Sequence, residues 1–184
     1  MADKDIIDLL IEDHDLFREV IRQFQTGQMT QDRADLFRTT VEQLARHETA
    51  EEIILYPRLR KEVEGGDELA DARLAEEQEA TEMLTELEHL DPDSDEFMQK
   101  LQDVLQDVAE HAENEEQQVF PRLREALSPD DLRQMGTMFE IAKKAGPTHP
   151  HPQAPKTPPG LVALGPVASL FDRARDAARK AMSH

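Results

Sequence analysis

The sequence predicts an all-α protein: an up-down-up-down four-helix bundle carrying a proline-rich and helical C-terminal extension. Three observations predict it. Residues up to about 145 are rich in Glu, Leu, Ala, Gln and Arg, with few β-branched runs, and that composition favours helix throughout. The breaks in the pattern are short, so consecutive helices should lie antiparallel as neighbours. The stretch HETAEEIILYPRLR at His47 returns as HAENEEQQVFPRLR at His111, an offset of 64 residues that lays one helical hairpin onto a second.

The first helix covers about 3–26, where Ile7, Leu10, His14, Phe17, Ile21 and Phe24 recur at spacings of 3 and 4. TGQMTQ ends it. The second covers about 31–63, with Phe37, Thr40, Leu44, His47, Glu51 and Ile54 on its seam, and EGGDE ends it. The third covers about 67–90 and stops at DPDSDE. The fourth covers about 94–127, with Phe97, Leu101, Val104, Val108, His111 and Glu115 in the same rhythm, up to SPDD. A shorter helix is expected at 129–145. The bundle therefore takes residues 1–128. Residues 146–166 hold seven of the eleven prolines and read as a linker; 167–184 read as a basic amphipathic helix, expected to dock on the acidic bundle.

Forty acidic against 21 basic residues give a net charge of −19, a field that repels nucleic acid and anionic lipid and favours cations. There is no cysteine, hence no disulfide and no thiolate ligand. The N-terminal stretch lacks the pattern of a signal peptide, and a cytoplasmic location is the expectation. The oligomeric state, monomer or dimer, is left open.

The histidines carry the functional signal. His14, His47 and His111 fall on apolar seams, and Glu51 and Glu115 each follow a seam histidine by four residues. That spacing stacks the two side chains one turn apart on one helix face. A lone histidine on such a face is usually a hydrogen-bonded core residue. Three of them with two glutamates at one level of one core would leave several polar groups unsatisfied unless they bind metal. The mixed nitrogen and oxygen donors suit iron, manganese or zinc.

This pattern resembles the hemerythrin-like family of HHE cation-binding domains, over residues 5 to 127. HETAE, HAENE and the trailing YPRLR and FPRLR carry the resemblance. It implies a four-helix bundle with a non-haem di-iron centre, oxo- or carboxylate-bridged, that binds oxygen or reacts with oxygen species. In that family the third helix gives a histidine. The 64-residue offset carries His14 to Gln78, which reads as a substitution. Gln78 itself, Glu82 one turn on, then Glu79, or a water would fill the place; His89 lies eleven residues on, roughly 16 Å along a helix, too far. Tyr56 is expected to pack, since its repeat partner is Phe120. His149 and His151 in PTHPHP are only a thin second metal signal.

The expected function is that of a di-iron protein acting on dioxygen, peroxide or nitric oxide in oxidative-stress response or sensing. Replacing a histidine by a carboxylate or water favours peroxide decomposition or oxygen reduction over oxygen carriage. The alternatives are a non-catalytic oxygen or iron sensor, a ferritin-like carboxylate oxidase with a third-helix glutamate, and a structural bundle with a decayed site.

Overall fold

The computed structural model describes residues 4–146, and these are all-α, with no strand among them. The expected extension at 147–184 lies outside the described residues. Four antiparallel rods make the bundle. The first is α1 (Ile6–Thr26). The second runs α2 (Arg33–Ala50), a π-helical turn (Glu51–Leu55) and α3 (Tyr56–Glu62). The third is α4 (Gly66–Leu87). The fourth runs α5 (Asp95–Asn114), a second π-helical turn (Glu115–Val119) and α6 (Phe120–Ala126). α7 (Pro129–Ala145) then packs across α1 and α2 on the outside of the bundle.

The helix starts follow from their caps. Asp5 accepts from the Asp8 amide at 3.0 Å while the Asp8 carboxylate accepts from Asp5, a reciprocal pair that fixes the start of α1. Asp32, Ser94 and Ser128 cap α2, α5 and α7 through their side-chain oxygens. Gly27 closes α1 at φ 68°, a left-handed turn that glycine makes without strain. α4 ends at Leu87, three residues before the expected position, because Leu87 is the last buried residue and Glu88 and His89 face solvent. At Gly66 an added Cβ would sit 2.0 Å from the Leu59 carbonyl oxygen, so glycine sets how closely α4 follows α3.

The two π-helical turns were not legible from seam spacing. Pro57 and Pro121 have no N–H, so Ile53 and Gln117 lose the donors that would bond their carbonyls in an α-helix. Each backbone widens instead: Tyr56 N–H donates to the Glu51 carbonyl and Phe120 N–H to that of Glu115, both five residues back. The repeated proline thus places a widened turn at each HxxxE glutamate.

The core has two apolar parts. One gathers Ile6, Ile7, Leu10, Leu55, Leu59, Leu123 and, from α7, Leu132, Met135 and Phe139. The other gathers Phe17, Ile21, Phe37, Leu44, Leu84, Phe97, Leu101 and Val104. Between them, at the level of residue 14 of α1, lies a layer of buried polar side chains. No helix among the described residues is long and apolar enough to cross a membrane.

Candidate metal centre

The polar layer brings His14, His47, Glu51 and Glu115 into one group, all buried, each offering a donor atom within 4.8 Å of the others. Glu51, Glu77 and His111 form a second group that shares Glu51 with the first. His14 Nε2 stands 3.4 Å from Glu115 Oε2, His47 Nε2 stands 3.2 Å from Glu51 Oε2, and His111 Nε2 stands 3.8 Å from Glu115 Oε2.

Gln78 and Glu82 do not join either group. Gln78 Nε2 donates to Glu82 Oε1 at 2.7 Å in an exposed pair on the surface of α4. Glu79 is exposed as well. The third-helix carboxylate that joins the layer is Glu77, only 2% exposed. The reason is a register shift of one residue. The connection between α1 and α2 has six residues, 27–32, and that between α4 and α5 has seven, 88–94. A fixed 64-residue offset therefore overshoots on α4 and carries Asp13, not His14, onto Glu77. The signal was present in the sequence: Ala70, Arg73, Glu77, Ala80, Leu84 and Leu87 follow the same 3-and-4 rhythm as the other three seams and are all buried. Gln78 lies off that seam.

Each histidine is held from behind. Glu116 lies 2.9 Å from His14 Nδ1, Asp13 lies 3.0 Å from His47 Nδ1, and Glu76 lies 2.9 Å from His111 Nδ1. Each of these carboxylates is in turn paired with a cation: Arg18 with Glu116 at 2.8 Å, Lys143 with Asp13 at 2.5 Å, and Arg73 with Glu76 at 2.8 Å. An ionised carboxylate only accepts, so Nδ1 of each ring carries a hydrogen and Nε2 is the nitrogen turned to the layer, the one a cation would take. Sequence spacing missed all six of these outer groups, because they lie on other helices or beside the seam.

Tyr56 does more than pack. Its hydroxyl donates to Glu77 and is 3.0 Å from Glu115 Oε1. Burial, with Glu115, Glu77 and Glu51 around it, holds its pKa well above the ordinary phenol value, so it stays a donor. Burial also pushes Glu51 well above the usual carboxylate range, and Glu115, Glu48 and Asp13 add to the effect. Burial would raise Glu115 too, but His111, His14 and His47 outweigh it and bring the group down to about 2. At Asp13, burial is outweighed by His47 and Lys143, which lower its pKa and keep it ionised.

Cations fit these residues on the structure's own terms. His14 Nε2, His111 Nε2, both oxygens of Glu51 and Oε2 of Glu115 are buried without a hydrogen-bond partner, despite the short distances among them. Leaving five such atoms bare in one layer is costly, and a metal ion is the partner that nitrogen and oxygen lone pairs share. A cavity of about 20 Å³, room for one water-sized species, opens beside them between His14, Phe17, His47, Glu77 and His111.

Comparison with known proteins adds an independent observation. The family model described as the hemerythrin HHE cation binding domain matches residues 5–123. An uncharacterised hemerythrin-like protein of Schizosaccharomyces pombe is 35% identical over 139 residues, which cover 75% of this chain and 68% of that protein. A DNA nickase of Nostoc sp. is 29% identical over 143 residues, 77% of this chain; the match spans only 40% of the nickase's length. No solved structure matches.

Proposed function

We propose that this chain, which belongs to the hemerythrin HHE cation-binding domain family, holds two iron ions in its core and uses them in the chemistry of dioxygen, peroxide or nitric oxide. The observation that carries the reading is the pair of overlapping donor groups joined by Glu51. His14, His47, Glu51 and Glu115 would hold one ion, and Glu51, Glu77 and His111 the other, with Glu51 and Glu115 between them. Charge supports two ions. The outer carboxylates already have Arg18, Lys143 and Arg73, while Glu51, Glu77 and Glu115 are gathered in one buried layer with histidines and a phenol among them. Two divalent cations would balance three carboxylates and leave a small positive excess for an anionic or polarisable ligand.

Iron bound there would supply one-electron redox steps and open positions for a small ligand. The chain's own residues do the rest. The cation–carboxylate–histidine triads fix the three rings with Nε2 inward. Phe17, Leu44, Val108 and Ala112 around the cavity limit what reaches the site to species of a few atoms. The Tyr56 hydroxyl, which donates to Glu77 and lies 3.0 Å from Glu115 Oε1, holds a proton on a neutral group at the edge of the layer. A third-helix glutamate makes the set richer in carboxylate than an all-histidine one. That favours the oxidised metal, and with it peroxide decomposition or oxygen reduction over reversible oxygen carriage.

The DNA nicking named for the Nostoc relative is not part of this proposal, because a net charge of −19 opposes a polyanion. A cytoplasmic location belongs to it. The test is metal analysis of the protein as isolated, followed by peroxide consumption by the iron form. Two irons per chain and turnover that falls with His47→Ala support the proposal; a chain that takes up no iron under reducing conditions overturns it.

A further inference from the structure

The family match ends at residue 123, yet α7 (Pro129–Ala145) reaches the metal layer. It does so through two side chains, Lys143 and Phe139. Lys143 Nζ lies 2.6 and 2.5 Å from the two oxygens of Asp13, and Asp13 accepts from His47 Nδ1 at 3.0 Å. The ammonium also sits 5.5 Å from the centroid of the Phe139 ring. That ring stands edge-on to the His47 imidazole at 6.0 Å. α7 thus touches His47 twice, once through charge and once through an aromatic edge.

The other two triads are closed within the family-matched part. Arg18 belongs to α1 and Arg73 to α4. Among the described residues, only His47 depends on an element outside it. The docking of α7 is also demanding. Met135 and Phe139 are buried in the core, and a Cβ at Gly136 would meet the backbone of Lys4 to Ile6 at 2.9 to 3.0 Å. The helix sits where it does because residue 136 has no side chain.

We infer that α7 is a working part of the metal centre, with Lys143 the positioning residue that aims His47 through Asp13, so that the ion held by His14 and His47 is bound tightly only while α7 is docked. This rests on the two-cation reading above. Without Lys143, Asp13 is a buried carboxylate with one partner, free to turn toward solvent through the groove it lines with Glu12, Leu16, Arg46 and Glu140. The His47 ring then loses its fixed orientation. His111, held by Glu76 and Arg73 across the bundle, keeps its own. The expected outcome is a difference between two sites, not a general weakening.

The experiment compares Lys143→Met, Lys143→Arg and Met135→Ala with the unaltered full-length protein. Each is titrated with Co²⁺ as an optical probe and with Fe²⁺ under anaerobic conditions, and the His47 ring nitrogens are followed by ¹⁵N NMR without metal. Lys143→Met should weaken one of two cations about 10- to 100-fold, the range for loss of an outer-shell partner. The other cation should stay within about threefold, and the His47 ring signals should shift or broaden while those of His111 hold. Lys143→Arg should recover most of the affinity, because it keeps the charge beside Asp13. Met135→Ala lowers the melting temperature of α7 packing but leaves Asp13 and Lys143 in place, so binding by the folded protein should not change. Equal weakening of both sites by Lys143→Met, or a Met135→Ala variant that weakens both sites alike, would overturn the assignment. So would an unchanged His47 signal in Lys143→Met. Failure of the unaltered protein to bind any cation would refute the two-cation reading itself, and the metal-free NMR comparison would still decide whether Lys143 positions His47.

Discussion

Replacing Glu77 by Gln separates a metal ligand from a structural residue by the sign of its two effects. Glu77 is 2% exposed, accepts the Tyr56 hydroxyl, and is one of three donors in the group with Glu51 and His111. Glutamine keeps the shape and an oxygen that the Tyr56 hydroxyl can still bond. It removes one negative charge from a layer that also holds Glu51 and Glu115. Outer-shell losses already cost about 10- to 100-fold in metal affinity, and a direct ligand belongs at or beyond the upper end. A loss on the order of 100-fold corresponds to about 3 kcal/mol at that site. In the metal-free protein the same change relieves repulsion among buried carboxylates, so stability should hold or rise by about 1 kcal/mol. Cobalt titration with metal analysis reads the first effect, and urea unfolding of the metal-free protein reads the second. Gln78→His is the companion variant. Its side chain starts from a surface pair with Glu82, so metal binding and spectrum should match the unaltered protein. If Glu77→Gln keeps two cations at full affinity, or if Gln78→His tightens binding, the register assigned to α4 is wrong.

Three further outcomes are expected. Tyr56→Phe should keep the fold, as Phe120 does at the matching position, but remove the buried hydroxyl bond to Glu77 and cost the metal-free protein about 1–3 kcal/mol in urea unfolding. Gly66→Ala should destabilise the α3–α4 turn by roughly 1–3 kcal/mol, because its Cβ meets the Leu59 carbonyl at 2.0 Å; an unchanged urea midpoint would refute that close approach. Cation binding should release protons. Burial raises Glu51 in the metal-free fold, so it gives up its proton less readily there than in a cation's company, and affinity should fall about tenfold per unit drop in pH for each proton displaced, read by calorimetry in buffers of different ionisation enthalpy. The same shift fixes a sign for the metal-free protein. Glu51's contribution is fully present below the ordinary carboxylate pKa and is lost as pH rises toward its raised value, whereas Glu115's contribution is present above 4.5 and lost as pH falls toward about 2.

Helix count and direction were legible because seam spacing and breaker residues are local signals. The repeat of HETAE and HAENE located two rods of the metal layer for the same reason: i, i+4 spacing fixes a shared face without any tertiary knowledge. Residue 77 was missed because a constant offset was carried across a connection one residue longer than its counterpart, whereas the seam of α4, read by itself, runs through Glu77. The π-helical turns were invisible to a 3.6-residue period, although the proline six residues after each motif glutamate was the clue. Asp13, Glu76 and Glu116 lie next to residues that face inward, and only packing shows which histidine each one meets. Lys143 was out of reach altogether, since 130 residues separate it from Asp13.

The most direct measurement is an anomalous-scattering map at the iron edge from crystals of the protein loaded with Fe²⁺. Two peaks inside the bundle are expected, one against His14 and His47 and one against Glu77 and His111, with Glu51 reaching both. A single peak, or peaks at the acidic surface with the layer between the two apolar clusters left empty, would contradict the two-cation centre.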